Sequence, residues 1–441
     1  MPALQPGAVD DNRACWLDEA PAYVPGPPLE QREVADVAII GGGCTGVSTA
    51  WHLSRRFPDR RVVLLEAKAL ANGASGRNGG QVLNWINGVE TDEPEPAQRI
   101  YAVTSSGIDL IAELAARARL DAGFERRGCI EVYTTARSAD AAQARVERLA
   151  RAGIPLEWLA ASATGVHGAY GAVRDRGAGR VNGVALLRGL RPVLLEQGVA
   201  IHEQTPVLAV DEGPTIRLTT PRGEVRAGAI VLATNAYTPA LGYFRGGILP
   251  LHSHVVATAP LPDPLWAELG WTAHDGFADD LDRVAYGCRT AGGRLLFGGG
   301  GNDAYCYLAG GQPVFPHAPA AHQRAFAAIE RHLRAYFPAA ARAPIGHRWT
   351  GTLAITLDRV CSMGVRGAHR NVYYALGYSG HGLALAMLAG RVLSDLYSGD
   401  HDPWRDLPFY QKRLPRLPPE PLRWLSYQLY TRLTGRSPRR R

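Results

Sequence analysis

A short apolar strand that runs straight into a glycine loop constrains this chain more than any other feature. Residues 36–46 read DVAIIGGGCTG: Val37, Ile39 and Ile40 form the strand, and Gly41, Gly43 and Gly46 fit G-x-G-x-x-G. Gly41 permits the tight turn and Gly43 lets the backbone approach a diphosphate. Gly46 lets the next helix, about Val47 to Arg56, pack close on a sheet. Cys44 and Thr45 stand between the glycines, where a small side chain suffices. The N–H groups and positive dipole end of the helix favour phosphate. A second strand, 61–65 (RVVLL), ends at Glu66, 20 residues past Gly46. A carboxylate there would accept hydrogen bonds from ribose hydroxyls and repel a 2′-phosphate. Strand, loop, helix, strand and acid in this order predict a dinucleotide site; the alternative is a glycine-rich turn in some other α/β protein. A denser loop, 73–80 (GASGRNGG), follows.

A chain of 441 residues exceeds the usual size of one compact domain, so two domains sharing an interface are expected. At 46% hydrophobic and 20% charged residues the composition is ordinary for a globular protein. The apolar stretch 383–389 is too short to span a bilayer. No basic segment followed by an apolar one marks a secretory signal, so a cytoplasmic location is expected. Six cysteines (15, 44, 129, 288, 306 and 361) show no C-x-x-C pair or metal spacing, which reads as buried thiols in a reducing compartment and no metal site. Of 48 basic residues only Lys68 and Lys412 are lysines, so a Schiff-base or general-base lysine has two candidates. One lies just past Glu66 and the other in the tail, and neither reads as catalytic. No arginine stripe interleaves with aromatics, so no nucleic-acid partner is expected.

Residues 1–34, rich in proline, read as an extended strap. Helical spacing covers 96–118 and 138–152, a strand pair is expected over 124–134, and strands alternate through 199–232. Further strands are read at 250–261, 283–290 and 294–300. A helix is expected over 320–337, and 371–397 read strand, glycine turn, helix. The division drawn from this pattern gives a nucleotide domain from 35–95, 150–244 and 341–400, a β-rich substrate domain from 96–149 and 245–340, and an extension over 401–441. The last helix, Leu422–Leu433, carries Leu422, Leu425, Leu429 and Leu433 on one face and is followed by Arg439–Arg441. It packs back on its own domain or, alternatively, makes a weak contact with a membrane surface or a partner.

GGGCTG, LLEAK, GASGRNGG, VLATNAY, RWTG and GYSGHG follow one another in an order that resembles FAD-dependent amine and amino-acid oxidases of the D-amino-acid-oxidase superfamily. The branch that looks most similar holds gamma-glutamylputrescine oxidases and related aminophosphonate oxidases. The resemblance spans about 36–400. It implies an α/β fold: an FAD-binding Rossmann-like domain of the glutathione-reductase type with an interleaved β-rich substrate domain. It also moves the cofactor from NAD or FAD to FAD. Ala67 of LLEAK, Gly79, Gly80 and Gln81 of the second loop and Gly351 of the W-x-G element come over as cofactor contacts. Ser75, Arg77 and Asn78 would supply donors, and Arg77 would offset diphosphate charge or form a salt bridge on a loop. The position of Val207 meets adenine in such proteins, and Thr234 and Asn235 mark the second crossing of the cofactor. Gly377, Ser379, Gly380, His381 and Gly382 precede a helix from Leu383 whose N-terminus would face the flavin and favour its anionic reduced form. His381 is either a donor to the flavin edge or a satisfied histidine in a turn.

Covalent attachment in some sarcosine oxidases uses a cysteine near the W-x-G element. Thr350–Asp358 has none here, and Cys361 lies past it, so the FAD is expected to be non-covalent. Those enzymes also carry an oxygen-promoting lysine where this chain has Leu296, and a lysine just after their GHG turn where it has Leu383. The implied activity is oxidation of a small-molecule amine, with electrons passed to O2 or another acceptor; the flavin takes the hydride and no protein base is obligatory. Candidate substrate contacts are Trp85, His254, Tyr286, Arg289, Trp349 and Tyr378. Arg289 would clamp a carboxylate or phosphonate, or be a surface arginine. His254 would take a proton from a substrate ammonium, or be a core histidine. Trp349 and Tyr378 would be aromatic walls, or core. A dehydrogenase on the same fold is the main alternative. A flavin monooxygenase would carry an acidic motif before the last helix, and a tRNA-modifying oxidase would need a basic groove and a methyltransferase domain; neither is read here.

Overall fold

The computed structural model describes residues 13–89, 91–271, 274–300, 305–306 and 319–434. The first twelve residues of the expected strap, the side chain of Cys306 and Arg439–Arg441 lie outside the described residues.

Two large sheets organise the molecule. The first runs Ser362–Arg366, Val372–Leu376, Glu224–Leu232, Arg32–Ile40, Val62–Leu65, Ala200–His202. From Val372–Leu376 to Ala200–His202 its neighbours are all parallel. Parallel strands are covered on both faces, which is why Val37–Ile40 and Val62–Leu65 are buried without alternation. The helix after the first strand, Cys44–Arg56, packs on Leu383–Tyr397. The approach is close because Gly390 has no side chain: a Cβ there would stand 2.2 Å from Ser48 Oγ. Pro94–Arg117 crosses the same late helix.

The second sheet has nine strands and is almost wholly antiparallel. Its order is Tyr305–Cys306, Leu249–Thr258, Leu295–Gly299, Ala285–Arg289, Gly276–Asp279, Cys129–Tyr133, Gly171–Asp175, Leu156–Ala160, with Ile345–Ile355 also paired to Leu249–Thr258. One pair, Gly276–Asp279 with Cys129–Tyr133, is parallel. Its core is aromatic, with Trp271, Phe277, Phe297 and Phe337 in mutual contact.

The sheets do not change over at the boundaries drawn from the sequence. Strands Leu156–Ala160, Gly171–Asp175 and Ile345–Ile355 fall in segments expected with the nucleotide sheet, yet they belong to the second. The strand pair expected over 124–134 is one strand, Cys129–Tyr133, preceded by a single bridge from Glu125 to Arg180. The apolar run 199–210 is two strands, because the chain leaves the parallel sheet after His202 and returns as an antiparallel flap, Ala209–Asp211 with Ile216–Thr219. Gly276–Asp279, only four residues long, shows no periodic signal. Among the described residues no helix is long and apolar enough to cross a membrane.

Candidate active site

A single cavity of about 2190 Å³ is lined from both sheets. At one end stand Gly41, Gly43, Cys44 and Thr45, with Glu66 and Ala67, and Val207 also lines the cavity. Gly41 holds φ +111°, a left-handed value that an L side chain rarely adopts. Gly46 lies behind the lining: a Cβ on it would stand 1.8 Å from the carbonyl oxygen of Gly41, so only glycine lets the helix start there. The carboxylate of Glu66 accepts from the backbone N–H of Gly42 at 2.7 Å and of Lys68 at 3.0 Å, which fixes it at the end of Val62–Leu65.

The two glycine loops touch. Ser75 Oγ accepts from the Cys44 N–H at 3.0 Å, so the second loop caps a helix donor that has no partner within its own helix. Asn78 works inside its own loop: Nδ2 donates to the carbonyls of Ser75 (2.8 Å) and Ala74 (3.2 Å), and Oδ1 accepts from the Gly80 N–H at 2.8 Å. Both side chains shape the loop, and Ser75, Asn78, Gly79 and Gln81 line the cavity. Gly80 stands behind it, against Trp16.

Arg77 is only 6% exposed and ties the second glycine loop to the strand Ile345–Ile355. Its Nε donates to Asn72 O at 3.0 Å and its Nη1 to Thr350 O at 3.1 Å. Trp349, fully buried, donates its indole N–H to Arg77 O at 3.0 Å. Arg77 and Gly351 line the cavity, whereas Trp349 holds the loop from behind. Farther along, Thr234 and Asn235 reach the lining, and Asn235 Oδ1 accepts from the Gly377 N–H at 3.0 Å, tying the glycine turn to the strand Glu224–Leu232.

The other end carries the side-chain chemistry. Tyr286 comes from Ala285–Arg289, and its ring lies between two glycines: a Cβ on Gly79 or on Gly298 would meet it at 2.7 or 2.5 Å. That lets the phenol cross the neighbouring strand to the Ser253 hydroxyl, 2.9 Å away. Burial pushes the Tyr286 pKa up to about 12, and the Ser253 contact offsets part of that rise. Tyr378 reaches back to the first glycine loop, with its hydroxyl 2.7 Å from Thr45 Oγ1, and burial raises its pKa further. Both phenols stay neutral at ordinary pH. Ser379, Gly380, His381, Gly382 and Leu383 complete this end, where the helix Leu383–Tyr397 begins. His381 Nε2 lies 2.7 Å from the Asn84 carbonyl, so that nitrogen donates to the 81–89 segment. Trp85 also lines the cavity, with the Arg145 guanidinium over its ring, 5.4 Å from the centroid.

Three candidates are not brought to the cavity: Trp349, which stands behind the second loop, His254 and Arg289. His254 is fully buried, with its ring 5.1 Å from that of Phe326. Successive strand residues point to opposite faces, so Leu251 and Ser253 line the cavity and His254 turns to the helix Pro319–Tyr336. Arg289 stacks over Trp266 at 4.7 Å and lies 3.6 Å from Asp263, away from the lining. Ser253 escaped the sequence reading, although the same alternation that removes His254 selects it.

The family described as FAD dependent oxidoreductase (DAO) matches residues 36–396. The chain is 29% identical over 414 residues to gamma-glutamylputrescine oxidoreductase of Escherichia coli strain K12, covering 90% of this chain and 92% of that protein. It is 30% identical over 400 residues to the probable oxidoreductase OrdL of Rhizobium meliloti, covering 87% of each. Among solved structures, glycine oxidase from Geobacillus kaustophilus superposes with a TM-score of 0.70 at 22% identity, covering 86% of this chain and 99% of that one. The glycine-loop strand order, the acid at its end and the late glycine turn all fall within the matched span, and the chain belongs to the DAO family of FAD-dependent oxidoreductases.

Proposed function

We propose that the cavity binds FAD without a covalent link and that the enzyme oxidises a primary or secondary amine to an imine, which water then hydrolyses, with the electrons passing to O2. The observation that carries this reading is the continuity of one cavity from Glu66 and the first glycine loop to Tyr286, Tyr378 and the start of Leu383–Tyr397. When bound, FAD supplies the two-electron acceptor that takes the hydride from the amine carbon. The residues fit such a group: two glycine loops leave room for a diphosphate, and Glu66 is poised for a ribose. The N-terminus of Leu383–Tyr397 favours negative charge at the other end.

The non-covalent reading rests on thiol chemistry. Attachment through cysteine requires a thiolate, and burial pushes the Cys44 pKa up to about 11 and that of Cys361 up to about 12. Cys361 does not reach the lining. The five described cysteines are all buried and free, consistent with a reducing cytoplasm.

Tyr286, Tyr378 and Trp85 would orient the amine carbon between aromatic surfaces and exclude water, and the neutral phenols would place no charge beside it. Relatives bear the names gamma-glutamylputrescine oxidoreductase and glycine oxidase. The substrate class we assign is accordingly an amino acid, N-alkyl amine, polyamine conjugate or aminophosphonate. A dehydrogenase using a quinone or electron-transfer partner is the second reading. It is favoured by Leu296, which stands where the resembling sarcosine oxidases carry an oxygen-promoting lysine, and by Leu383, a lining residue where they carry the lysine after their GHG turn. A panel of these amines, followed for flavin bleaching and peroxide release in parallel, tests both. Bleaching with peroxide supports the oxidase and bleaching without it the dehydrogenase. No bleaching with any amine overturns amine oxidation.

A further inference from the structure

The helix Leu422–Thr434 lies beyond the family match, which ends at residue 396. Its inner face is held by a small set of contacts. Tyr427 and Thr431 are buried, and Arg283 lies over the rings of Tyr427 and Tyr430. Tyr430 Oη donates to Asp282 Oδ1 at 3.1 Å and Thr434 Oγ1 to Asp282 Oδ2 at 3.4 Å. Asp282, Arg283, Tyr430, Leu433 and Thr434 also line the cavity. Leu433 is 73% exposed and Leu357, another lining residue, 62%, so the cavity meets solvent here, as it also does at Leu208 and Arg148.

The outer face has a different chemistry. Leu422, Leu425, Leu429 and Leu433 recur at helical spacing and form one stripe opposite Tyr427 and Thr431. With Trp424 and Tyr430, this one helix holds six of the twelve large hydrophobic side chains exposed among the described residues, so the apolar surface is concentrated here. From Leu422 to the last residue the sequence has six arginines and no Asp or Glu. Two copies meeting through this stripe would bring like charges together. An anionic bilayer takes up both features: leucines enter the acyl boundary, Trp and Tyr suit the headgroup level, and arginines pair with phosphate.

We propose that Leu422–Thr434 is a peripheral docking helix for an anionic lipid surface, and that docking sets this opening of the cavity at the bilayer interface. The proposal does not depend on which amine is oxidised. The test is co-sedimentation of the full FAD-loaded chain with vesicles of phosphatidylcholine alone or mixed with phosphatidylglycerol, comparing wild type with the double variant Leu425→Ser, Leu429→Ser. Both positions are exposed and neither lines the cavity, and thermal unfolding confirms that the variant is folded. The expected result is binding to the anionic vesicles that weakens with salt and falls about tenfold or more in the variant. Wild type left in the supernatant with anionic vesicles overturns the proposal, as does equal binding by the variant. Sedimentation velocity without lipid supplies the remaining outcome: a wild-type dimer that the double variant converts to monomer assigns the stripe to a second copy and also overturns it.

Discussion

Around Gly41 to Gly46 the cavity wall is made of backbone, while around Ser253 and Tyr286 it is made of side chains. On the first wall, a missing Cβ at Gly46 and a left-handed φ at Gly41 leave the space, and the chain's own N–H groups and Glu66 provide the polarity. On the second, two glycines from distant segments clear room for one phenol, and strand alternation selects which residues face inward. A backbone wall tolerates almost no change at its glycines but asks little of the residues between them. A side-chain wall tolerates change everywhere except at the few positions with the right parity.

The largest expected effect breaks the first wall. Gly46→Val drives a branched side chain into the Gly41 carbonyl and should cost about 3 kcal/mol, together with the bound FAD. Flavin content and thermal unfolding measure it; an FAD-loaded variant of normal stability contradicts the account of that wall. Next comes pH. His274, buried beside Trp271, has its pKa lowered to about 4, chiefly by burial. The unfolded chain takes up that proton first, so stability is full above about pH 6.5 and falls as the pH drops towards 4, by roughly 2 to 3 kcal/mol. His52, on the glycine-loop helix, is held down to about 4 in the same way. Denaturant unfolding across this window should show a slope that His274→Gln reduces without removing; an unchanged slope assigns the dependence elsewhere.

Arg77 joins the two walls. Arg77→Leu leaves the Thr350 and Asn72 carbonyls without its donors and should cost about 2 kcal/mol, with looser FAD binding. A stability loss below about 0.5 kcal/mol in urea unfolding sinks the strut assignment. Arg289 marks the small end of the scale. It sits off the cavity over Trp266, and Arg289→Ala should shift stability by no more than about 0.5 kcal/mol and leave KM for any amine unchanged. A large rise in KM restores it as a substrate clamp.

The same contrast explains what could be read from the sequence. Loop 41–46, Glu66 and loop 73–80 carry their geometry in contiguous residues, because glycine spacing and strand order are local properties. The strands Val62–Leu65 and Val372–Leu376 and the helix Leu383–Tyr397 were legible for the same reason. The second wall depends on register between segments far apart. Tyr286 reaches Ser253 across Gly298, and only the pairing of three strands decides that. A histidine is a more conspicuous residue than a serine, so His254 was singled out at the position whose parity is wrong. The boundaries at 150 and 341 failed to follow the sheets because a β-strand carries no mark of which sheet it joins.

The parity of Leu249–Thr258 is therefore the point on which the account turns. Ser253→Ala and His254→Ala, each loaded with FAD, should be mixed anaerobically with an amine that bleaches the wild-type flavin. The account predicts that Ser253→Ala slows bleaching about tenfold by freeing the Tyr286 phenol, while His254→Ala lowers thermal stability and leaves the bleaching rate close to wild type. The reverse pattern, with slow bleaching in His254→Ala and an unaffected Ser253→Ala, would contradict it.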